Sequence, residues 1–323
     1  MAAVVKDEAF APELTRLMKA PPAGDGWLHE IKWDGYRIVA TVVNGKVRLW
    51  SRNAIEWTQK VPELADAVAS LRLKSAQLDG EMIVPTGTGS DFNALQGRLS
   101  AENKAPVLYV LFDMPYCNGR SLAERPLVER KAGLADLLGR RRSKLLAYSE
   151  HLIGHGAELY AQALRNGWEG IVSKRVDSPY RYGARNGDWV KVKARPSEEF
   201  AVVGFTRPKG GRAGIGALLL ARYVGGEWVY VGRVGTGFDD KLLRELRRQL
   251  AADVVDEPSA NAELMERKDR PLAIWVKPRL IVEVFHQGFG GQGLLRQAAF
   301  KTLRADKTPA DLVAESARPK RRR

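Results

Sequence analysis

Between residues 27 and 193, short runs of alternating apolar and polar residues are separated by stretches of helical spacing. Residues 36–43 predict a strand, Asn44-Gly45 is a strong type I′ turn signal, and residues 46–52 predict the returning strand of a hairpin. Apolar positions recur three and four apart over 62–73, 123–138 and 156–165, which predicts three helices. Compact apolar runs over 76–84, 107–114, 170–175 and 188–194 predict further strands. Hairpins and strands mixed irregularly with helices argue for an α+β domain and against a doubly wound parallel sheet.

The texture changes at Arg195-Pro196-Ser197. Beyond it the pattern predicts strands over 200–206, 217–224, 228–234 and 280–286, one helix over 239–250, and a long polar loop over 251–273. Short strands with a single helix over about a hundred residues suit a small β-barrel of the OB type. The expected organisation is a first domain over 1–195, a second over 196–312, and a disordered basic tail over 313–323 ending in Pro-Lys-Arg-Arg-Arg.

Composition narrows the class. With 323 residues, 45% of them hydrophobic, the chain can bury two ordinary cores. It has neither an apolar run of membrane-spanning length nor the layout of a signal peptide, so a soluble cytoplasmic protein with no membrane partner is expected. The single cysteine, Cys117, excludes an internal disulfide and a zinc site built from cysteines. Lys and Arg number 52 against 38 acids, a net charge of +14 that attracts polyanions, nucleic acid above all. Charge alone also fits a plain basic surface, so the chemistry must decide.

In Glu30-Ile-Lys-Trp-Asp-Gly-Tyr-Arg37, Lys32 is a candidate nucleophile. A lysine that attacks phosphorus must lose its proton, which requires desolvation or neighbouring cations such as Arg37 and the later lysines. Gly35 is expected to let backbone approach a nucleotide closely. By composition, a Lys-x-Asp-Gly-x-Arg string arises by chance in roughly one chain of this length in a few hundred; the plain alternative is a surface turn. In residues 188–194, strict alternation puts Trp189, Lys191 and Lys193 on one strand face, with Val190, Val192 and Ala194 toward the core. Two lysines side by side repel unless an anion lies between them, and a triphosphate fits; an exposed edge strand is the bland reading. Asp79 and Glu81 share a strand face and Glu169 stands at a strand entrance, so carboxylates from separate strands could hold magnesium. Phe112, in an apolar strand, could stack on a base or could simply be core.

The ordered set Glu30-x-Lys-x-Asp-Gly-x-Arg37, Ser51-Arg-Asn53, Asp79-Gly-Glu81, Phe112-Asp113, Glu169-Gly-Ile-Val-Ser-Lys174 and Trp189-Val-Lys-Val-Lys193 resembles the motifs of ATP-dependent DNA ligases. Tyr230-Val-Gly-Arg-Val-Gly-Thr-Gly-Phe238 and Leu294-Leu-Arg-Gln297 extend the likeness toward the ligase module of bacterial ligase D, of non-homologous end joining. The resemblance implies a nucleotidyltransferase domain, with ATP-grasp-like antiparallel sheets and helices, followed by an OB domain. It implies that Lys32 carries AMP, that Glu30 and the backbone of Ile31 read the adenine edge, and that Phe112 stacks beneath the base. Arg37 and Glu81 would hold the ribose, with Lys174 also in the nucleotide site. Lys191 and Lys193 would hold the α-phosphate, Glu81 and Glu169 would bind metal, and Arg52 would touch the nick 5′-phosphate. Arg304, Asp306 and Lys307, in Arg304-Ala-Asp-Lys307, would orient the departing pyrophosphate.

The implied cofactors are ATP and Mg2+, which Mn2+ can replace. The implied partners are nicked duplex DNA and a DNA end-binding repair protein, for a monomer associated with the bacterial nucleoid. Lys209 and Arg212, in a Gly-rich loop of the second domain, are further candidate DNA contacts. One departure is Ala298-Ala-Phe-Lys-Thr302, where the family has Pro-Ser-Phe-Lys-Gly. Two other classes use part of this apparatus: RNA ligases or capping-type nucleotidyltransferases, and silent OB binding proteins, which need no magnesium carboxylates.

Overall fold

The structure, a computed structural model, describes residues 6–101, 103–140, 143–194, 196–208, 214–267 and 270–317. The chain divides into two compact units, Met1–Arg195 and Pro196–Arg323. No helix among the described residues is long and apolar enough to cross a membrane.

The first unit opens with β1 (Arg16–Leu17), β2 (Gly24–Ile31), β3 (Tyr36–Val43), β4 (Lys46–Ser51) and α1 (Pro62–Ala69). It continues through β5 (Ser75–Ile83), α2 (Phe92–Leu99), β6 (Leu108–Cys117), β7 (Arg120–Ser121) and α3 (Leu127–Arg140). It closes with β8 (Leu146–Tyr148), β9 (His151–Gly154), α4 (Gly156–Asn166), β10 (Gly170–Arg175) and β11 (Trp189–Lys193). One sheet has the order β1-β11-β10-β2-β9; the other runs β4-β3-β5-β6-β7, with β8 on β6. Pairing is antiparallel except β1 with β11 and β6 with β8. This mixture of mainly antiparallel sheets and helices agrees with the α+β domain expected for the first unit.

Local chemistry explains most boundaries. Asn44 and Gly45 take φ of 51° and 79°, the left-handed pair a type I′ turn needs. Helix α1 stops before the apolar pattern does: Leu71 and Leu73 are buried, but Arg72 between them has φ 52°, so both leucines reach the core from a turn. Helix α3 begins later than its pattern because Pro126 disfavours helical backbone at Arg125. Helix α2 has only two buried residues, Phe92 and Leu95, too few to show as a periodic stripe.

Strand β3 is covered on both faces. Ile38, Ala40 and Val42 pack with Leu64 and Val68 of α1, whereas Val39 joins Leu28, Phe112, Tyr180 and Trp189 between the sheets. A fully buried ion pair locks this layer. Arg130 Nε and Nη2 each donate to an Asp113 carboxylate oxygen at 2.8 Å, and Arg130 Nη1 reaches the carbonyls of Arg125 and Ser178. Asp113→Ala leaves the guanidinium charge buried and uncompensated, and is expected to cost about 3–5 kcal/mol of stability. A fall in the urea midpoint checks this; an unchanged midpoint would mean that Arg130 finds another counter-charge.

The second unit contains β12 (Ser197–Thr206), β13 (Leu218–Val224), β14 (Glu227–Val234), α5 (Asp240–Ala251) and β15 (Val254–Val255). It ends with β16 (Ala273–Val276), β17 (Ile281–Phe285), β18 (Ala299–Leu303) and α6 (Pro309–Ser316). The sheet runs β14-β13-β12-β16-β15, with β17 also on β12 and β18 on β17. Strand β12 pairs β17 through Ser197–Ala201 and β16 through Gly204–Thr206. Pairing among the described residues branches at β12 and does not close into a ring, so the closed OB barrel expected from sequence is not shown.

Two expectations are corrected here. The polar stretch 251–273 is not a free loop: it holds β15, Ser259 Oγ donates to the carbonyls of Val203 and Val276 at 3.0 and 2.6 Å, and Ala260 and Met265 are buried. Polar side chains spent on main-chain carbonyls disguise a packed segment. The tail does not begin at 313, because Thr308 and Asp311 form a capping box with Pro309 at the first turn and start α6, which runs to Ser316. Residues 318–323 lie outside the described residues.

Candidate active site

Lys32 stands one residue beyond β2, where its backbone N–H donates to the Gly170 carbonyl at 3.0 Å. Gly170 has φ 146°, and a Cβ there would lie 2.1 Å from the Val192 carbonyl oxygen, so only glycine lets β11 pass. That tight crossing sets Glu169 against Lys32, whose ammonium donates to Glu169 Oε2. The Lys32 side chain keeps 19% exposure and Glu169 only 7%, so the amine is reachable while its partner is enclosed.

Other charges crowd the same place. Glu81 on β5 sits opposite Arg37 in register. Burial, aided by Glu169 and Asp34 and opposed by Lys32 and Arg37, raises its carboxyl to about 7. On β11, burial and the charges of Lys32 and Lys193 push Lys191 down to about 7, with Glu169 opposing and Arg52 adding to the shift. Lys32, Glu81, Glu169, Lys191, Lys193 and Arg52 therefore share one electrostatic field. It holds one carboxyl, Glu81, and one amine, Lys191, that are only partly ionised near neutrality, which suits an anion and a cation together.

A second group lies deeper. Arg37 grips Asp79 with both arms, Nε to Oδ1 at 2.5 Å and Nη2 to Oδ2 at 2.6 Å, and the Tyr180 hydroxyl donates to Asp79 Oδ2 at 2.6 Å. The guanidinium carbon is 4.6 Å from the Phe112 ring centroid. Lys174 Nζ lies 4.3 Å from that ring and 4.2 Å from Trp189. Glu30, fully enclosed, receives Lys174 at 3.0 and 2.9 Å and Lys131 at 2.7 Å. Burial alone would raise its carboxyl, but the two lysines overcome this and hold it below the usual range. Lys174 in turn is pushed down to about 8 by burial and by Lys131, against the pull of Glu30. Ile31 pairs with Ile171, placing its main chain beside this cluster.

Three sequence expectations change. Trp189 does share a face with Lys191, but it is 1% exposed, so that face is a filled slot between the sheets at one end and a charged cleft at the other. Gly35 is closed by protein: a Cβ there would meet the Met82 carbonyl oxygen at 2.1 Å, so its smallness serves β5 and not a nucleotide. Asp79, expected among the metal carboxylates, is spent on Arg37 and Tyr180. Sequence reasoning also missed Lys131, Tyr180 and Ser149, which hold the site together.

In the second unit, Arg304 Nε and Nη2 donate to Asp306 at 2.8 and 2.7 Å. Arg304 and Lys307 both pair with Glu199, and Lys307 with Glu315 at 3.1 Å. Of Ala298-Ala-Phe-Lys-Thr302, all but Ala298 lie in β18, with Lys301 Nζ 3.3 Å from Glu283. Lys209 and Arg212 lie outside the described residues.

Residues 11–193 match the model for the ATP dependent DNA ligase domain, and residues 211–307 that for the ATP dependent DNA ligase C terminal region. The chain belongs to the ATP-dependent DNA ligase family. The chain is 39% identical over 312 residues to the multifunctional non-homologous end joining protein LigD of Pseudomonas aeruginosa, covering 95% of this chain and 37% of that protein. The LigD of Mycobacterium tuberculosis is 35% identical over 291 residues, 90% of this chain and again 37% of the relative. The chain thus spans little more than a third of these relatives. A solved mycobacterial DNA ligase D, complexed with ATP and MES, superposes with a TM-score of 0.73 at 32% identity, covering 94% of this chain and 97% of that one.

Among the described residues no group of three or more His, Cys, Asp or Glu could hold a metal ion. Magnesium, however, commonly takes one or two carboxylates and completes its shell with phosphate oxygens and water. Glu81 and Glu169 could fill that role: burial raises the Glu81 carboxyl to about 7, with Glu169 adding to the shift, and a bound cation would favour its ionised form.

Proposed function

We propose that this chain is an ATP-dependent DNA ligase that seals 3′-hydroxyl/5′-phosphate nicks or ends in duplex DNA through AMP carried on Lys32. The observation that carries the reading is the Lys32 amine, reachable, held by Glu169, and set in one field with Glu81 and Lys191.

In the first step the Lys32 nitrogen forms a bond to the α-phosphorus of ATP, and the bond to the β-phosphate oxygen breaks, releasing pyrophosphate. Lys191 and Lys193 neutralise the α-phosphate, and an anion between them restores the charge that crowding removes from Lys191. Glu30 and the main chain of Ile31 meet the adenine edge, Phe112 stacks on the base, and Arg37 and Glu81 hold the ribose, with Lys174 beside them. Glu81 and Glu169 would hold magnesium or manganese, which spreads the phosphate charge. Arg304, Asp306 and Lys307 orient pyrophosphate. The nick 5′-phosphate then attacks the AMP phosphorus and frees Lys32. Last, the 3′-hydroxyl attacks the activated 5′-phosphorus and AMP leaves.

The second unit, over 196–312, is read as an OB-type module, supported by a long strand β12 that serves two sets of neighbours and by the capped helix α5 that follows the β13–β14 hairpin. Arg52, Lys209 and Arg212 contact DNA phosphates, since a ligase must accept any sequence. The end-joining names of the relatives support a role in DNA repair, and the reading extends to action at the bacterial nucleoid with an end-binding protein as partner.

A nicked duplex incubated with ATP and magnesium tests the whole reading. Sealed strand and a protein–AMP adduct are expected. Adduct formation from GTP in place of ATP, or sealing of nicked RNA in place of DNA, would overturn it in favour of a capping or RNA ligase class.

A further inference from the structure

Lys131 has no part in the reading above, yet it is one of the largest fully buried side chains in the molecule. It rises from α3 into the nucleotide pocket, where its ammonium donates to Glu30 Oε1 at 2.7 Å and to the Ser149 carbonyl at 2.9 Å. The same ammonium lies 4.4 Å from the centroid of the Tyr148 ring. Two of its donors are thus directed to fixed oxygens and its charge lies over a ring, and its aliphatic stem is closed off from water.

We propose that Lys131 is a positioning residue that sets base selectivity, by fixing the Glu30 carboxylate as an ionised acceptor aimed at the 6-amino group of adenine. The proposal rests on the reading that Glu30 meets the adenine edge.

The reasoning is one of charge and lone pairs. Glu30 Oε1 receives Lys131 and Lys174, and Oε2 receives Lys174 and, at 3.3 Å, the Ser149 hydroxyl. A carboxylate offers about four acceptor positions, so this one is full. An entering amino group must displace a donor. The long Ser149 contact and the straddling Lys174 contacts are the replaceable ones; the short Lys131 contact, anchored also at Ser149 and Tyr148, is not. Two ammoniums around one carboxylate leave one positive charge in excess. Lys174 can therefore yield a contact to a neutral amino group and Glu30 still faces a full counter-charge. With Lys131 alone removed, Lys174 must neutralise the carboxylate and yield to the base at once. An ionised acceptor pairs with a 6-amino group and repels a 6-oxo group, so selectivity follows from keeping Glu30 ionised and still.

The test measures kcat/KM for self-adenylation of the whole chain with ATP and with purine riboside triphosphate, which lacks only the 6-amino group. Lys131→Met is expected to lower the ratio of ATP to purine riboside triphosphate about tenfold, the scale of one hydrogen bond to a charged group. A merely structural residue lowers both values together and leaves the ratio intact. Lys131→Gln, which keeps a donor for Ser149, carries the same expectation should the methionine variant not fold. Glu30→Ala serves as the reference. A ratio that collapses in Glu30→Ala but survives in both Lys131 variants overturns the role of Lys131. A ratio untouched in Glu30→Ala overturns the adenine reading beneath it.

Discussion

Lys32→Ala is expected to yield no detectable protein–AMP adduct, while duplex binding stays close to that of the parent chain. The variant removes the amine with its methylene stem and leaves the rest of the basic surface in place. Binding draws on a net charge of +14 distributed along the chain, of which one unit is lost. Lys32→Arg is expected to fail equally, because a guanidinium stays protonated and attacks phosphorus poorly. Lys191 makes this a demanding test, since crowding leaves it near pH 7 in the same field. Mass spectrometry of the labelled protein decides the matter. AMP on Lys191 in the variant would mean that the field, and not the strand-end position, selects the nucleophile.

The second large effect separates the steps. Arg304→Ala is expected to slow self-adenylation by about 10²–10³, the range found when one charge-stabilising donor is lost from a transition state. Sealing of a nick supplied already adenylated involves no pyrophosphate and should fall far less. Arg304 also bridges Asp306 and Glu199 within the second unit, so some loss of stability accompanies the change. Comparing the two assays removes that contribution. Equal losses in both would assign Arg304 to the architecture of its unit and not to the leaving group.

The strands that build the site could be read in the sequence because turn chemistry and side-chain alternation fix them. Asn44-Gly45 allows one kind of hairpin, and β10 spans the residues its apolar run predicts, Gly170–Arg175. Elements whose partners are remote were harder to read. Strand β16 is four residues long and is held by Gly204–Thr206 on one side and Val254–Val255 on the other, so its own residues announce little. Strand β9 has Leu152 and Ile153 exposed, the reverse of a buried run. Within the site, Lys131 follows Glu129 and Arg130 at the start of α3, where three charges in a row look like a solvated helix face. Two of the three are buried, each against a carboxylate from a distant strand: Arg130 on Asp113 and Lys131 on Glu30. Burial of charge depends on a partner far along the chain, and no local pattern encodes it.

The hydrophobic clusters carry one more implication. Every residue of the core around Leu64, Val68 and Ile38 precedes Arg195, and every residue of the core around Leu243, Leu246 and Phe200 follows it. A methyl group lost from one core opens a cavity that neighbours in the same half must refill. Substitutions that compensate such a loss in either of these cores are therefore to be sought in the same half, and one core can be repacked with the other's residues left untouched. Two distinct family models likewise each match one half.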